Sequence, residues 1–517
     1  MRKRPNILLI TADQWRGDCV GVAGHPLLAT PNVDRLASDG VLFARHFANT
    51  APCGPSRASL LTGLYPHNHR AVLNGTPLDG RHSNIALEAR KAGYEPTLFG
   101  YTDITPDPRE LPPGDPALGT YEGTLKGFSV GVRLNEDGRP WLDSLRRLGY
   151  DVPGPGFAIY RADPSFPLPP GRGTTFAPPV FAAEHSETAW LTDQVLDHLG
   201  SHGDDPFFLH VSYLRPHPPF IAPRGYHEMY HLDEVPAPRR AADVAIEAAQ
   251  HPFLAQALAT IEQSVLFRHG NGRACDLTDA DVRQIRATYF GLISEVDHHI
   301  GRLLDALADK DLYDDTLIVL TSDHGEQLGD HHLFGKLGYF DESFHIPLLI
   351  KPPAQGRMTG GTVASFTEAV DVMPTVLDVA GIPTPAQCDG RSLVPFLHGE
   401  RPDDWRDAAH WSFDFRDPLQ GTAGQPFGLP PERCNLTVLR DERYKYVHFN
   451  GLPPLLFELR EDPDELQDLS SEPGHAATLL DYARRMLDWR MSHEYGALHN
   501  MLVTPDGLID GRGGEVL

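Results

Sequence analysis

The sequence predicts an α/β fold: a large, mostly parallel sheet sandwiched by helices, with a smaller C-terminal α+β subdomain. Three observations carry this. Short unbroken apolar runs end in polar residues, amphipathic helical periods alternate with them, and the pattern changes after about residue 385. Unbroken runs fit strands buried on both faces, as in a parallel sheet covered by helices. Strand–helix alternation is the mark of that layering.

In chain order, Asn6 to Asp13 reads as the first buried strand, running Ile-Leu-Leu-Ile before its polar end. Ser83 is placed to cap a short helix through Lys91, and Pro96 to Tyr101 is the next strand. Pro206 to Tyr213 is a third. Thr278 caps a helix to Ala308, whose apolar residues Ile285, Tyr289, Leu292, Val296, Ile300, Leu303 and Leu307 form one stripe. Thr316 to Thr321 and Ile346 to Lys351 are further strands, and Phe366 to Val379 reads as a helix stopped by Gly381 and Pro383. Beyond that, Arg443 to Phe449 alternates and pairs with Leu455 to Leu459 as a hairpin, before a helix from about Ala476 to Trp489. The expected units are 1–385, 386–495, and a Gly-rich tail, 496–517. The tail is expected either to fray or to act as an arm on a neighbouring subunit, which would make the protein a dimer or tetramer.

Composition narrows the function. The 517 residues are 41% hydrophobic and 22% charged, ordinary globular fractions that exclude disorder and collagen-like repeats. Lysine and arginine total 45 against 70 acids, a formal net charge of −25. Such a chain repels nucleic acid and anionic membrane surfaces, and an anionic substrate needs a local cationic patch or a metal. The five cysteines are scattered with no CxxC pair, so neither a disulfide framework nor a zinc ribbon is expected. The basic start is followed by an apolar run, Ile7 to Ile10, too short for a signal peptide. No stretch approaches a membrane span. The expected location is cytoplasmic.

Ligands of an open α/β sheet bind at the carboxyl ends of its strands. Two strands place acids there: Asp13 on one, Asp323 with His324 on the other. Together they make an oxygen-rich site for a divalent metal. The Pro- and Gly-rich stretch 104–180 reads as a long excursion over this active-site face. The strongest local motif is Cys53-Gly54-Pro55-Ser56-Arg57-Ala58-Ser59-Leu60-Leu61-Thr62-Gly63, with the cysteine just before a helix start, where an anion is favoured.

This motif resembles the signature of the type I sulfatases of the alkaline phosphatase superfamily. The resemblance extends to Asp13, to Pro31 to Leu36, to Ser322 to Glu326 and to Gly335-Lys336, and it spans essentially the whole chain. Within the family the sequence is most similar to the phosphonate monoester hydrolases, through Asn68 to Val72, Arg215 to Phe220, Gly329 to His332 and Asp441 to Phe449. The resemblance implies that a formylglycine-generating enzyme, a transient partner, oxidises Cys53 to Cα-formylglycine. It implies one Mn²⁺ or Ca²⁺ held by Asp13, modified Cys53, Asp323 and His324. Arg57 would orient the hydrated aldehyde, with Lys336 and His217 facing the leaving oxygen as charge stabiliser and general acid. Gln14, Asn74 and Tyr101 match substrate-contacting positions. Gln14 stands where many sulfatases carry a second Asp. His331 and His332 are expected at the surface or behind the site, and the other cysteines in packing.

The implied substrates are small monoanionic esters: phosphonate monoesters and phosphodiesters first, with an arylsulfatase of the same architecture as the alternative. Asp103 departs from the pattern, because the phosphonate monoester hydrolases carry threonine there. If ionised, it adds a negative charge that disfavours dianionic phosphate monoesters. A phosphomonoesterase relative with unmodified Cys53 and a non-catalytic binding protein are the readings from other classes.

Overall fold

The strand Asn6–Ala12 is buried along its whole length and divides two cores. Leu8 and Ile10 join one, with Leu292, Val296 and Ile300 of the helix Asp279–Asp309. Ile7 and Leu9 join the other, with Leu61 of the helix Cys53–Thr62 and Val376 of the helix Val372–Val379. Successive strand side chains point to opposite faces, so a doubly covered strand must be apolar throughout. The computed structural model describes residues 4–517 except 204, 355–359, 418, 420–423, 495, 497–500, 506, 511–514 and 517.

The central sheet has eight strands, in the order Gly361–Val363, Val41–Phe43, Leu348–Lys351, Thr316–Thr321, Asn6–Ala12, Phe208–Tyr213, Pro96–Gly100, Ser129–Arg133. The last five in that order are parallel to one another. Leu348–Lys351 is antiparallel to both neighbours, although its apolar run resembles the others. Burial on two faces fixes the run but not its direction. The predicted long helix is Asp279–Asp309, with Thr278 in a reciprocal capping box with Asp281.

Three local expectations need correction. The short helix Ile85–Lys91 is capped by Asn84, whose side chain accepts the Ala86 and Leu87 N–H groups, while the Ser83 hydroxyl turns to Glu88. Phe366 to Val379 is α-helical only from Val372, after a 3-10 turn at Ala369–Asp371. Thr367–Glu368 pairs as a short strand, and the turn after it is pinned by Asp371, which accepts the Glu368 N–H at 2.9 Å. The 104–180 stretch is more than an excursion. Ser129–Arg133 extends the sheet, and the helix Arg139–Arg147 buries Trp141, Leu142 and Leu145.

A second sheet runs Leu455–Glu458, Tyr444–Phe449, Asn435–Arg440, Ala409–Asp414, Thr50–Ala51. Its first four strands are antiparallel, including the predicted hairpin. Thr50–Ala51 adds in parallel, with Thr50 opposite Ser412, so the chain entering Cys53 is anchored on the C-terminal sheet. The helix Ala476–Ser492 covers this sheet through Tyr482 and Met486. The described part of the tail forms an antiparallel meander, Met501–Thr504, Gly507–Asp510 and Glu515–Val516. The rest of the expected arm lies outside the described residues. No helix among the described residues is long and apolar enough to cross a membrane.

Candidate active site

Register brings the site together. Thr11 lies opposite Thr321 and Ala12 opposite Tyr213, so Asp13 and Asp323 leave adjacent parallel strands at the same end. The helix Cys53–Thr62, buried at every residue, brings its first residue to that edge. Its second residue must be small: a Cβ on Gly54 would lie 2.8 Å from the Asp103 carbonyl oxygen and 3.1 Å from Asn74 Oδ1.

Asp13, Cys53, Asp323 and His324 are all buried, and one ligand atom from each lies within 4.8 Å of the others. His324 Nδ1–H donates to the Gly325 carbonyl at 3.1 Å, which turns the Nε2 lone pair inward. That nitrogen lies 3.3 Å from Cys53 Sγ, 3.6 Å from Asp13 Oδ1 and 3.7 Å from Asp323 Oδ1. Arg57 contacts the other oxygens of the same carboxylates. Its Nε is 2.9 Å from Asp323 Oδ2, its NH2 3.3 Å from Asp13 Oδ2, and its NH1 donates to Ser212 Oγ at 2.7 Å. Burial opposes ionisation of Asp323, but His324 and Arg57 outweigh it and hold the carboxyl below its usual range. Burial pushes His324 down to about 4, leaving it neutral and fit to ligate. Two carboxylate oxygens and one imidazole suit a hard divalent cation.

Cys53 differs electrostatically from expectation. Burial and then Asp13 push its thiol well above the ordinary value, outweighing the ammonium of Lys336. An unmodified Cys53 is therefore a thiol and a poor nucleophile. Lys336 Nζ lies 3.2 Å from Sγ and 2.8 Å from Gln14 Oε1. Burial works against its charge, but Cys53 and Asp13 raise it, so it stays an ammonium.

The remaining expected residues fall around this centre. Tyr101 donates its hydroxyl to Asp13 Oδ2 at 2.7 Å, and its ring lies 4.3 Å from the Arg57 guanidinium carbon, so it braces both Asp13 and Arg57. Asn74 Oδ1 accepts the Gly54 N–H at 2.9 Å, satisfying a helix-start donor. His217 donates Nδ1–H to the Pro218 carbonyl at 2.6 Å, and burial with Lys336 nearby holds it well below its usual value, hence neutral. Asp103 is buried at φ 51, and its Oδ1 has no partner among the described residues. Burial, with Asp13, Glu122 and Glu136 adding to it and Arg57 opposing, raises its carboxyl well above the usual range. These surroundings favour the neutral carboxyl of Asp103 over the ionised form on which a charge filter depends.

His331 is not at the surface. It is buried, paired with Glu247 at 2.5 Å and stacked on Phe340 at 3.6 Å. His332 is buried as well, with Nε2 against the Ala241 carbonyl. Positioning residues that sequence reasoning passed over are Ser212, Ser322 and Glu326. Ser322 Oγ accepts the Trp15 N–H and donates to the Ala12 carbonyl, tying the two strand ends. Glu326 accepts from the Gln14 side chain and from the Gly335 N–H, bracing the turn that carries Lys336. Its place three residues after Asp323 was the available signal.

A buried carboxylate–imidazole centre at the carboxyl edge of a parallel sheet, with a nucleophile position on a helix start, defines a hydrolase of the alkaline phosphatase superfamily. The chain belongs to the sulfatase family, whose profile matches residues 5–382. A second profile, N-sulphoglucosamine sulphohydrolase C-terminal, matches 329–492. The multifunctional alkaline phosphatase superfamily protein PehA of Trinickia caryophylli is 44% identical over 512 residues, covering 98% of this chain and 99% of its own. The phosphonate monoester hydrolase of Agrobacterium radiobacter superposes with a TM-score of 0.93 at 48% identity, over 98% of this chain and 99% of that one. An arylsulfatase of Clostridium perfringens is 28% identical, over 94% of each chain.

Proposed function

We propose that the protein hydrolyses monoanionic esters, phosphonate monoesters and phosphodiesters first, with sulfate esters as further substrates at the same centre. The observation that carries this is Lys336 Nζ, 2.8 Å from Gln14 Oε1 and 3.2 Å from Sγ of residue 53. A neutral amide stands where a second acid would add charge, and one ammonium faces the nucleophile position. The full-length likeness to phosphonate monoester hydrolases supports the same reading.

In this proposal Asp13, residue 53, Asp323 and His324 hold Mn²⁺ or Ca²⁺. The metal supplies Lewis acidity when bound, and formylglycine at position 53 supplies a hydrated nucleophile with a second hydroxyl for release of the product. The chain's own residues do the rest. Arg57 fixes both carboxylates, and Tyr101 fixes Asp13 from its other side. Lys336 offsets charge on the oxygen leaving phosphorus or sulfur. Neutral His217 keeps its Nε2 lone pair, so it would take up the proton that the hydrated residue 53 loses on attack and return it to that oxygen.

The test is peptide mass spectrometry across residue 53 in protein made with an active formylglycine-generating enzyme. It is combined with rates on a phosphonate monoester, a phosphodiester, an aryl sulfate and a phosphate monoester. Formylglycine at position 53 and a rate order led by the phosphonate monoester and phosphodiester are expected. An aryl sulfate turned over far faster than both would move the assignment to arylsulfatase. Full turnover by Cys53→Ala would remove the mechanism.

A further inference from the structure

A second cavity, of about 50 Å³, lies apart from the metal centre. It forms where the short helix Pro66–His69 meets the C-terminal sheet and the end of the helix Ala476–Ser492. Thr50, His67, Arg70, Ser412, Thr437 and Arg490 are on its wall, and no residue assigned to the metal or the substrate is.

The wall carries two cations, Arg70 and Arg490. Neither the Arg70 nor the Arg490 side chain makes a hydrogen bond or ion pair among the described residues. Burial, and then the charge of Arg70, lowers the Arg490 guanidinium below its ordinary value, with Glu494 acting the other way. The one carboxylate on the wall, Asp414, is already held by Arg416 through both oxygens, at 2.8 and 2.6 Å. His67 donates Nε2–H to the His493 carbonyl at 2.9 Å, so its buried Nδ1 carries a lone pair and turns no hydrogen towards an anion. Ser412 and Thr437 pair hydroxyl to hydroxyl at 3.1 Å, so one of their two hydrogens remains free for another acceptor. Arg70 also sits at φ 57, a conformation that side chains other than Gly and Asn rarely adopt. Two guanidiniums that make no ion pair among the described residues, beside the hydroxyl hydrogen left over from the Ser412–Thr437 pair, are what a bound anion would complete.

We propose that this cavity binds a small tetrahedral oxyanion, phosphate or sulfate, between Arg70 and Arg490. Its volume suits a small inorganic ion. A bound ion would tie the helix Pro66–His69 to the C-terminal helix. It would also touch the strand Thr50–Ala51, which leads into Cys53.

The test uses the full-length, metal-loaded protein and radiolabelled inorganic phosphate and sulfate in equilibrium dialysis, with chloride holding the ionic strength constant. Wild type should bind two ions per chain, one at the metal centre and one here, with phosphate and sulfate competing at both. Arg490→Gln and Arg70→Gln should each lose one ion while retaining kcat/KM, and Asp13→Asn should keep the ion held by the arginines. Arg70 is exposed, so its variant carries the test if Arg490→Gln does not fold. Selenate soaked into crystals should give an anomalous peak between the two guanidiniums. Unchanged stoichiometry in both arginine variants would overturn the proposal. So would loss of all binding in Asp13→Asn, or displacement of the ion by chloride at equal concentration.

Discussion

Arg57 Nε lies 2.9 Å from Asp323 Oδ2, and this contact leaves Asp323 Oδ1 facing His324 Nε2 and the centre. The same guanidinium reaches Asp13 Oδ2, so one rigid fork sets the rotation of two carboxylates. In the proposed mechanism Arg57 is thus a positioning residue for the oxygens that would face a bound metal. A lysine carries its three donors on a single nitrogen and lacks the planar fork that spans both acids. Arg57→Lys should therefore bind metal poorly and lose activity by on the order of 10²–10³-fold, the scale of removing one preorganised electrostatic group. Metal analysis alongside kinetics checks this. Full metal content with lost activity would place Arg57 on the substrate instead.

Lys336 makes its contacts on the open side of the same centre, at Gln14 Oε1 and Cys53 Sγ. Removing it leaves the departing oxygen without a counter-charge, and that loss grows as the leaving group becomes more basic. Lys336→Ala should steepen the dependence of rate on leaving-group pKa across a series of aryl esters. Parallel slopes for wild type and variant would assign the ammonium to ground-state binding of the anion.

His331 and Glu247 form a buried pair away from the chemistry. Burial opposes charge on both, but each partner outweighs it, so His331 is raised and Glu247 lowered. The sign for each follows from linkage. Stability from His331 is complete below its unfolded value and is lost as pH rises through its raised folded value. Stability from Glu247 is present above its unfolded value and is lost as pH falls through its lowered one. Glu247→Gln strands an imidazole that would otherwise be charged and should cost about 3–5 kcal/mol at weakly acidic pH, where both charges exist. Denaturant melts of wild type and variant at weakly acidic and alkaline pH should show the gap narrowing on the alkaline side.

The parts of the site that could be read from the sequence are those whose position follows from one strand or one helix start. Asp13 and Asp323 end unbroken apolar runs, and Cys53 opens a helix, so their meeting follows from a parallel sheet. The rest depends on partners far along the chain. His331 looks polar and exposed until Glu247, 84 residues away, closes on it. The strand Ser129–Arg133 is only half-buried at the sheet edge, so it carries no apolar run, and Gly131 passes close to the Phe99 ring. The antiparallel direction of Leu348–Lys351 has no compositional trace at all.

Asp103 shows the same limit at the level of charge. Its position beside the pocket follows from the strand Pro96–Gly100, but its protonation does not, because Glu122 and Glu136 arrive from the aperiodic stretch that follows. An ionised Asp103 about 6 Å from a dianionic substrate would impose roughly 3 kcal/mol per unit charge at an effective dielectric of ~20. A neutral one imposes almost none and is isosteric with an amide. Asp103→Asn should therefore leave the ratio of kcat/KM for phosphate monoesters to that for sulfate esters nearly unchanged at neutral pH. Stability supplies a second readout with a defined sign. The folded carboxyl keeps its proton above the unfolded value of ~3.9, so the unfolded chain gains stability relative to the folded one by ~1.4 kcal/mol per pH unit until the folded group titrates. The asparagine variant escapes this loss, and its melting temperature should rise relative to wild type as pH increases from 4 towards neutrality. A variant that is instead less stable at every pH, and that turns over phosphate monoesters much faster relative to sulfate esters, would show that Asp103 is ionised and acts as the charge filter.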